Sequence, residues 1–313
     1  MKTRAFLLGL AVLTTCAAAH AQQKLAEADA LYRFNKGDTV RHQLLIVTDS
    51  DTNKEVGGPS SVGRERQNMR QDMVIEQKIL DVDGAGSAEI QVTFRSAKTE
   101  VKVSSGADRE RKPPDVLQYL AGKSFKIYVT ADGEILAAEQ VASLINAARA
   151  AAKDPALQEL VSQSFSEEFF KELLQNLYPR MPLKTVQQTD GWKIVSDVTI
   201  PRTEFKLRVT RDFALSRTAH GTTQLNIRGE IKAMPIDPIT PPNPASPFVE
   251  VLLSNIAGDA ELALDKGVVL SANSVQRLKM RTTKREQQGR GRGEIRIEVV
   301  TDSTTTTTVK LLK

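Results

Sequence analysis

Apolar side chains recur at every second position along most of the first third of the chain: Met73, Ile75 and Ile79, then Ile90, Val92 and Phe94, then Val101 and Val103, then Phe125, Ile127 and Val129. A period of two marks strands with one face buried and one face wet. Val40 to Thr48 forms an earlier strand, followed by a loose loop at Gly57-Gly58-Pro59-Ser60-Ser61. Asp83-Gly84-Ala85-Gly86 and Asp132-Gly133 supply turn chemistry between strands. The spacing then changes. Val141, Leu144, Ile145 and Ala148 repeat at helical intervals until Asp154-Pro155. Ser164 with Glu167 reads as a capping box for a second helix, whose stripe of Phe169, Phe170, Leu173, Leu174 and Leu177 ends at Pro179 and Pro182. A stripe at this spacing is a face that packs on a sheet.

Alternation returns at Trp192, Ile194, Val198 and Ile200, then Phe205, Leu207 and Val209, then Leu225, Ile227 and Ile231, then Leu262 and Leu264, and last Ile295, Ile297 and Val299. The expectation is an α+β fold of predominantly antiparallel sheet: a first β-rich half at 22–135, a helical segment at 136–183, and a second β-rich half at 184–313. Gly37-Asp38 and Asp190-Gly191 open the two halves, and Gly133 and Gly267 lie in late turns, an echo that suggests duplication. Pro235, Pro238, Pro241, Pro242, Pro244 and Pro247 make a stiff connector that must cross an edge or an end of the sheet. Thr304 to Thr308 is β-prone and reads as a late edge strand.

The first residues change the picture of where the chain works. Lys2 and Arg4 precede an apolar run from Ala5 to Thr14, and Ala19-His20-Ala21 fits a cleavage site between Ala21 and Gln22. Residues 1–21 therefore read as a secretory signal, and the protein is expected in the periplasm or outside the cell. Leu13-Thr14-Thr15-Cys16 loosely resembles a lipoprotein box, so lipid anchoring through Cys16 stays open. With cleavage after Ala21 the remainder would be cysteine-free, since Cys16 is the sole cysteine. The apolar run is too short to span a bilayer, and no later stretch of comparable hydrophobicity is free of charge.

Charge adds little. The formal net charge is +5, and loss of Lys2 and Arg4 removes two of those. Residues 275–313 carry ten Lys or Arg against four Asp or Glu, whereas 22–274 carry 31 against 34. This basic end suits either an anionic envelope partner or a strand face charged against edge pairing. Gly289-Arg290-Gly291-Arg292-Gly293 lacks interleaved aromatics and reads as a turn, which points away from nucleic acid.

Candidate chemistry is sparse. His42 and His220, the histidines beyond residue 21, each stand alone without ligand spacing. Asp81-Val82-Asp83-Gly84 opens like a calcium loop, but its twelfth position is Val92. Asp81 with Asp83, or Glu167 with Glu168, could serve a hydrolase only if folding opposed them. Gly58-Pro59-Ser60-Ser61-Val62-Gly63 fails the serine-elbow pattern. Trp192 reads as a core anchor, with stacking on a sugar or a headgroup as the alternative. No catalytic, cofactor or metal residue is assigned.

Three stretches carry a resemblance: Leu31-Tyr32-Arg33-Phe34-Asn35-Lys36-Gly37-Asp38, Thr130-Ala131-Asp132-Gly133-Glu134-Ile135, and Met181-Pro182 with Asp190-Gly191-Trp192. In these the chain resembles uncharacterised exported bacterial proteins grouped as a domain of unknown function, a likeness that implies no activity. The expected function is non-enzymatic binding of a lipid, polymer or protein partner in the envelope, with an apolar groove between curved sheet and helices as the expected place. A carboxylate-dependent hydrolase and a structural or surface-assembly component are the rivals.

Overall fold

The computed structural model describes residues 31–57, 62–105, 113–182, 191–200, 203–219, 221–240, 243, 246–287 and 294–312. Its strands are β1 (Thr39–Val56), β2 (Val62–Val82), β3 (Ala88–Ser105), β4 (Ser124–Val129), β5 (Ile135–Glu139), β6 (Gly191–Thr199), β7 (Phe205–Ala219), β8 (Thr222–Pro235), β9 (Phe248–Ala263), β10 (Val268–Gln287) and β11 (Glu294–Leu312). Helices α1 (Val141–Ala151), α2 (Pro155–Ser164) and α3 (Glu167–Gln175) separate β5 from β6. The fold is α+β, dominated by antiparallel sheet, with β-rich regions on both sides of the helices.

All eleven strands belong to one sheet, in the order β5-β4-β3-β2-β1-β11-β10-β9-β8-β7-β6. The two β-rich regions are joined by β1 and β11, from Arg41 opposite Leu312 to Val56 opposite Ile297. This corrects two expectations. The threonine run 304–308 lies in the middle of the sheet, flanked by β1 and β10, and so is not an edge. The basic end likewise occupies the two central strands β10 and β11. The edges are β5, of five residues, and β6, of nine. Short edges offer little template for unwanted pairing.

Why the helices form is local chemistry. Asp154 caps α2 through Ala156 N, with Pro155 at the first helical position. Ser166, not Ser164, caps α3 by accepting from Phe169 N at 3.1 Å. Ser164 instead donates back to Leu160 O at the end of α2. The expected box was displaced by two residues because two helices adjoin, and the serine that breaks from helical geometry takes the cap.

Both edges of the sheet reach the same helical segment. Phe170 on α3 lies between Phe94 of β3 and Phe125 of β4, with ring centroids 6.0 and 5.1 Å away. Glu172 on the same helix interacts electrostatically with Arg211 on β7. Trp192 on β6 donates to Arg180 O, just beyond α3, at 2.7 Å. The sheet therefore curls around the helices, and one continuous core joins Phe94 and Phe125 to Phe213, Leu225 and Val309.

The helices cover only part of it. Eleven residues of α1 rise about 16 Å, whereas the 18 to 21 residues of β1, β2 and β3 extend for roughly 60 Å at ~3.3 Å each. One end of the sheet is thus closed over helices, and the other projects beyond them.

Candidate functional site

At the closed end the three stretches of sequence that carry the family resemblance meet in one latch. Tyr32 N donates to Ala131 O at 2.7 Å, and the Tyr32 hydroxyl donates to Pro179 O at 3.0 Å. Met181 N donates to Asp132 O at 2.7 Å. Gly133 has φ +84°, and a Cβ there would stand 2.7 Å from the Tyr32 ring and 3.0 Å from Pro179 O. Only glycine satisfies both the backbone angle and the space. Tyr32, Phe34 and Tyr178 pack as an aromatic trio with centroids 5.8 to 6.2 Å apart.

The latch holds charge but not a reaction centre. Asp132, 4% exposed, accepts from Arg180 at 3.0 Å and from the Thr130 hydroxyl. Glu134 accepts from the same guanidinium at 2.8 Å. Two carboxylates do converge, but on a cation that lies against both, so they form an ion pair rather than an acid facing a base. Burial pushes the Tyr32 and Tyr178 phenols above their usual range, leaving both neutral. Trp192, stacked on Phe213 at 5.5 Å, is the core anchor at this junction.

The other residues singled out by sequence scatter. His42 is 1% exposed, its Nε2 2.7 Å from Val269 O, with the Gln77 side chain beside the ring. Burial lowers its pKa, which keeps the ring neutral. His220 lies outside the described residues, as do Asp190 and the Gly289 to Gly293 turn. Asp83 closes a turn by accepting from Ala85 N and Ser87 N, while Asp81 pairs with Lys36 on the surface. Glu167 pairs with Lys171, one turn away. Among the described residues no three His, Cys, Asp or Glu side chains gather as metal ligands. The proposed cleavage residues Ala21 and Gln22 also lie outside the described residues.

One expectation is corrected outright. The chain is not cysteine-free: it contains Cys16, and the absence of a thiol depended wholly on the removal of residues 1–21.

Space for a ligand occurs at the open end. The closed end is filled by Phe94, Phe125, Phe165, Phe169 and Phe170, whose rings pack at 5.1 to 6.2 Å. At the open end the ladder between β8 and β9 runs from Thr223 opposite Leu262 to Gly229 opposite Ile256 and goes no further. Beyond that point β8 continues to pair with β7, as far as Pro235 opposite Phe205, and β9 with β10, as far as Phe248 opposite Thr283. The two strands splay apart, and a cleft of about 750 Å³ opens between residues 230–235 and 248–254.

Three local features cause the splay. Leu252 is an extra residue in β9, since Val251 faces Met280 and Leu253 faces Lys279, and such a bulge sharpens strand twist. A Cβ on Gly229 would overlap the Thr210 carbonyl oxygen, so β7 and β8 approach closely there. Ile231 N, the next donor aimed at β9, finds the Ser254 hydroxyl at 2.9 Å in place of a backbone carbonyl. The bulge also turns two consecutive leucines outward. Phe248, Leu252 and Leu253 are 55%, 38% and 53% exposed, and Ile236 and Ile239 stand exposed on the connector nearby. The described parts of the proline-rich connector, 236–240, 243 and 246–247, lie between the end of β8 and the start of β9, while Pro241, Pro242 and Pro244 lie outside the described residues.

A second cleft, about 770 Å³, lies on the outer face of β1, β2 and β11 and is polar. Among its charges Arg66 pairs with Asp51 at 3.2 Å and Lys279 with Asp302 at 3.7 Å, while Asp49 accepts from Asn68.

Residues 85–239 match a family model described as a family of unknown function, DUF6263. The chain contains a DUF6263 domain. That domain begins in the turn before β3, takes in the helices and both sheet edges, and ends on the connector after β8. The latch residues Gly133, Arg180 and Trp192 fall inside it and Tyr32 outside; the cleft has one wall, β8, inside it and the other, β9, outside. No curated protein matches the chain. Among solved structures, a chain described under lipid–protein interactions in lipovitellin aligns at 10% identity, with a TM-score of 0.33 over 90% of this chain and 26% of that one. This chain therefore spans about a quarter of that one's length. Among the described residues no helix is long and apolar enough to cross a membrane.

Sequence reasoning missed the cleft. The signal was present in Val249-Glu250-Val251-Leu252-Leu253-Ser254-Asn255-Ile256, where strict alternation breaks at the paired leucines.

Proposed function

We propose that this is an exported envelope protein, periplasmic or extracellular, that acts by binding rather than by catalysis and takes an apolar envelope partner in the cleft between β8 and β9. The observation that carries this is the cleft itself: an open groove of about 750 Å³, edged by the exposed Leu252 and Leu253 and by Phe248, which packs edge-on against Phe205 at 5.3 Å. Apolar side chains so grouped at a strand opening gain most when something covers them. Export rests on Lys2, Arg4 and the apolar run before Ala21.

The reading is tested with delipidated protein. Nile red should brighten in wild-type protein and stay dim in Leu252→Asp/Leu253→Asp, and an envelope extract should raise the wild-type melting temperature by several degrees. A dark probe together with no shift across lipid, glycan and protein fractions would remove the proposal. Intact-mass analysis of the exported protein decides between cleavage before Gln22 and a lipidated Cys16.

A further inference from the structure

We infer that the β8–β9 cleft receives an extended segment of another polypeptide, which fills the interrupted ladder as an added strand. This rests on the binding reading above and adds the chemistry of the occupant.

The walls of the cleft are backbone as well as side chain. Ile231 N points toward β9, because it donates to Ser254 Oγ, while Ile236 N points toward the β7 side and donates to Glu204 O at 2.9 Å. Strand alternation then aims the N–H and C=O of Ala233 into the cleft, and those of Lys232 and Met234 at β7. Pro235 brings a carbonyl but no donor. Opposite, β9 spends one edge on β10 from Phe248 to Lys279's partner Leu253, and among the described residues its other edge has no register to β8 beyond Gly229 opposite Ile256. Unpaired strand edges are templates for another strand, and main-chain hydrogen bonds supply the affinity in that mode of recognition. A lipid tail offers no such groups.

Charge narrows the occupant further. Lys232 pairs with Glu230 at 2.6 Å and Arg281 with Glu250 at 3.3 Å, so the charges beside the cleft already have partners. What remains is apolar: Met234, Leu252 and Leu253 are accessible, above a floor in which Phe205, Ile231 and Val249 are buried. The fitting segment is therefore uncharged, with apolar residues at alternate positions. Six residues of β8, 230–235, set its length, roughly 20 Å of extended chain.

The test uses full-length protein and synthetic ten-residue peptides that alternate Val or Ile with Thr or Ser. Each is made in a plain form and in forms N-methylated at odd or at even residues, which keep the side chains and remove backbone donors. Photocrosslinking from a benzoylphenylalanine introduced by substitution of Phe248 and displacement of Nile red are the readouts. Plain peptides should crosslink saturably and displace the dye, and N-methylation should weaken both at least tenfold. Leu253→Asp should abolish both while leaving the melting temperature unchanged. Equal binding by methylated peptides would mean apolar adsorption and overturn the inference. Dye entry that no peptide displaces would also overturn it, leaving the binding reading in place. A cleft that admits neither dye nor peptide takes both down.

Discussion

The two ends of this sheet are built from the same strands and have opposite characters. At the closed end Leu44, Met73 and Val309 sit opposite one another on β1, β2 and β11 and are fully buried beneath the helices. A few residues along, the same inner face carries Thr48 against Thr305 and Thr52 against Thr301, hydroxyl to hydroxyl at 3.0 and 3.2 Å. The backbone differs in the same sense. Between β8 and β9 the ladder is continuous over the main core, from Thr223 to Gly229, and stops at a second, smaller buried cluster of Val209, Ile231 and Ile256. The lesson is that burial alone does not keep strands zipped: Ile231 and Val249 are each 2% exposed beyond the end of the ladder, so the bulge at Leu252 is what parts their strands, and that is where a partner can enter.

The comparison can be broken most forcefully from the closed end. Phe170→Ala removes the ring around which Phe94, Phe125, Phe165 and Phe169 pack, and should cost about 3–5 kcal/mol in denaturant unfolding; a loss below ~1 kcal/mol would deny that this end carries the stability. Gly133→Val forces a β-branched residue into a left-handed backbone against Tyr32, with a cost of roughly 3 kcal/mol from strain and overlap, checked by the same melts. Asp132→Ala strands the Arg180 guanidinium beside Glu134 alone and should cost ~2 kcal/mol, less than for a fully buried pair because Arg180 retains some solvent.

A pH slope sharpens the comparison. His42 has its pKa lowered by burial, so the unfolded chain binds a proton that the folded chain refuses. Its contribution is therefore complete above the unfolded value of about 6.5 and is lost as pH falls below it. Unfolding melts at pH 7.5 and 5.5 should show that loss, and His42→Gln should flatten it. The smallest effect belongs to the open end: Leu253→Asp should change stability by no more than ~0.5 kcal/mol while abolishing dye entry.

How much of this was legible in the sequence follows from the range of the forces involved. The strands of Met73 to Ile79 and Ile90 to Phe94, and the stripe of Phe169 to Leu177, were readable because a buried face imprints its period on neighbouring residues. The pairing of β1 with β11 was not, because it joins residues some 250 positions apart. The threonine run read as a late edge strand because it is β-prone and polar; the structure leaves its side chains half-buried, which a central strand tolerates where one face of the sheet is uncovered. The latch stretches stood out as motifs, yet nothing local told that Gly133 makes room for Tyr32. The cleft was written as a single break in alternation at Leu252-Leu253, a signal one residue long.

Amide hydrogen exchange at single-residue resolution on the free protein addresses the central claim, that the sheet is zipped at one end and open at the other. Leu225 and Ile227, within the β8–β9 ladder, should exchange slowly, as should Lys232 and Met234, which face β7. Ala233, aimed into the cleft, should exchange orders of magnitude faster than its two neighbours. Protection of Ala233 equal to that of Lys232 and Met234 would mean that the ladder closes to its end, and the account of a partner-binding cleft would be contradicted.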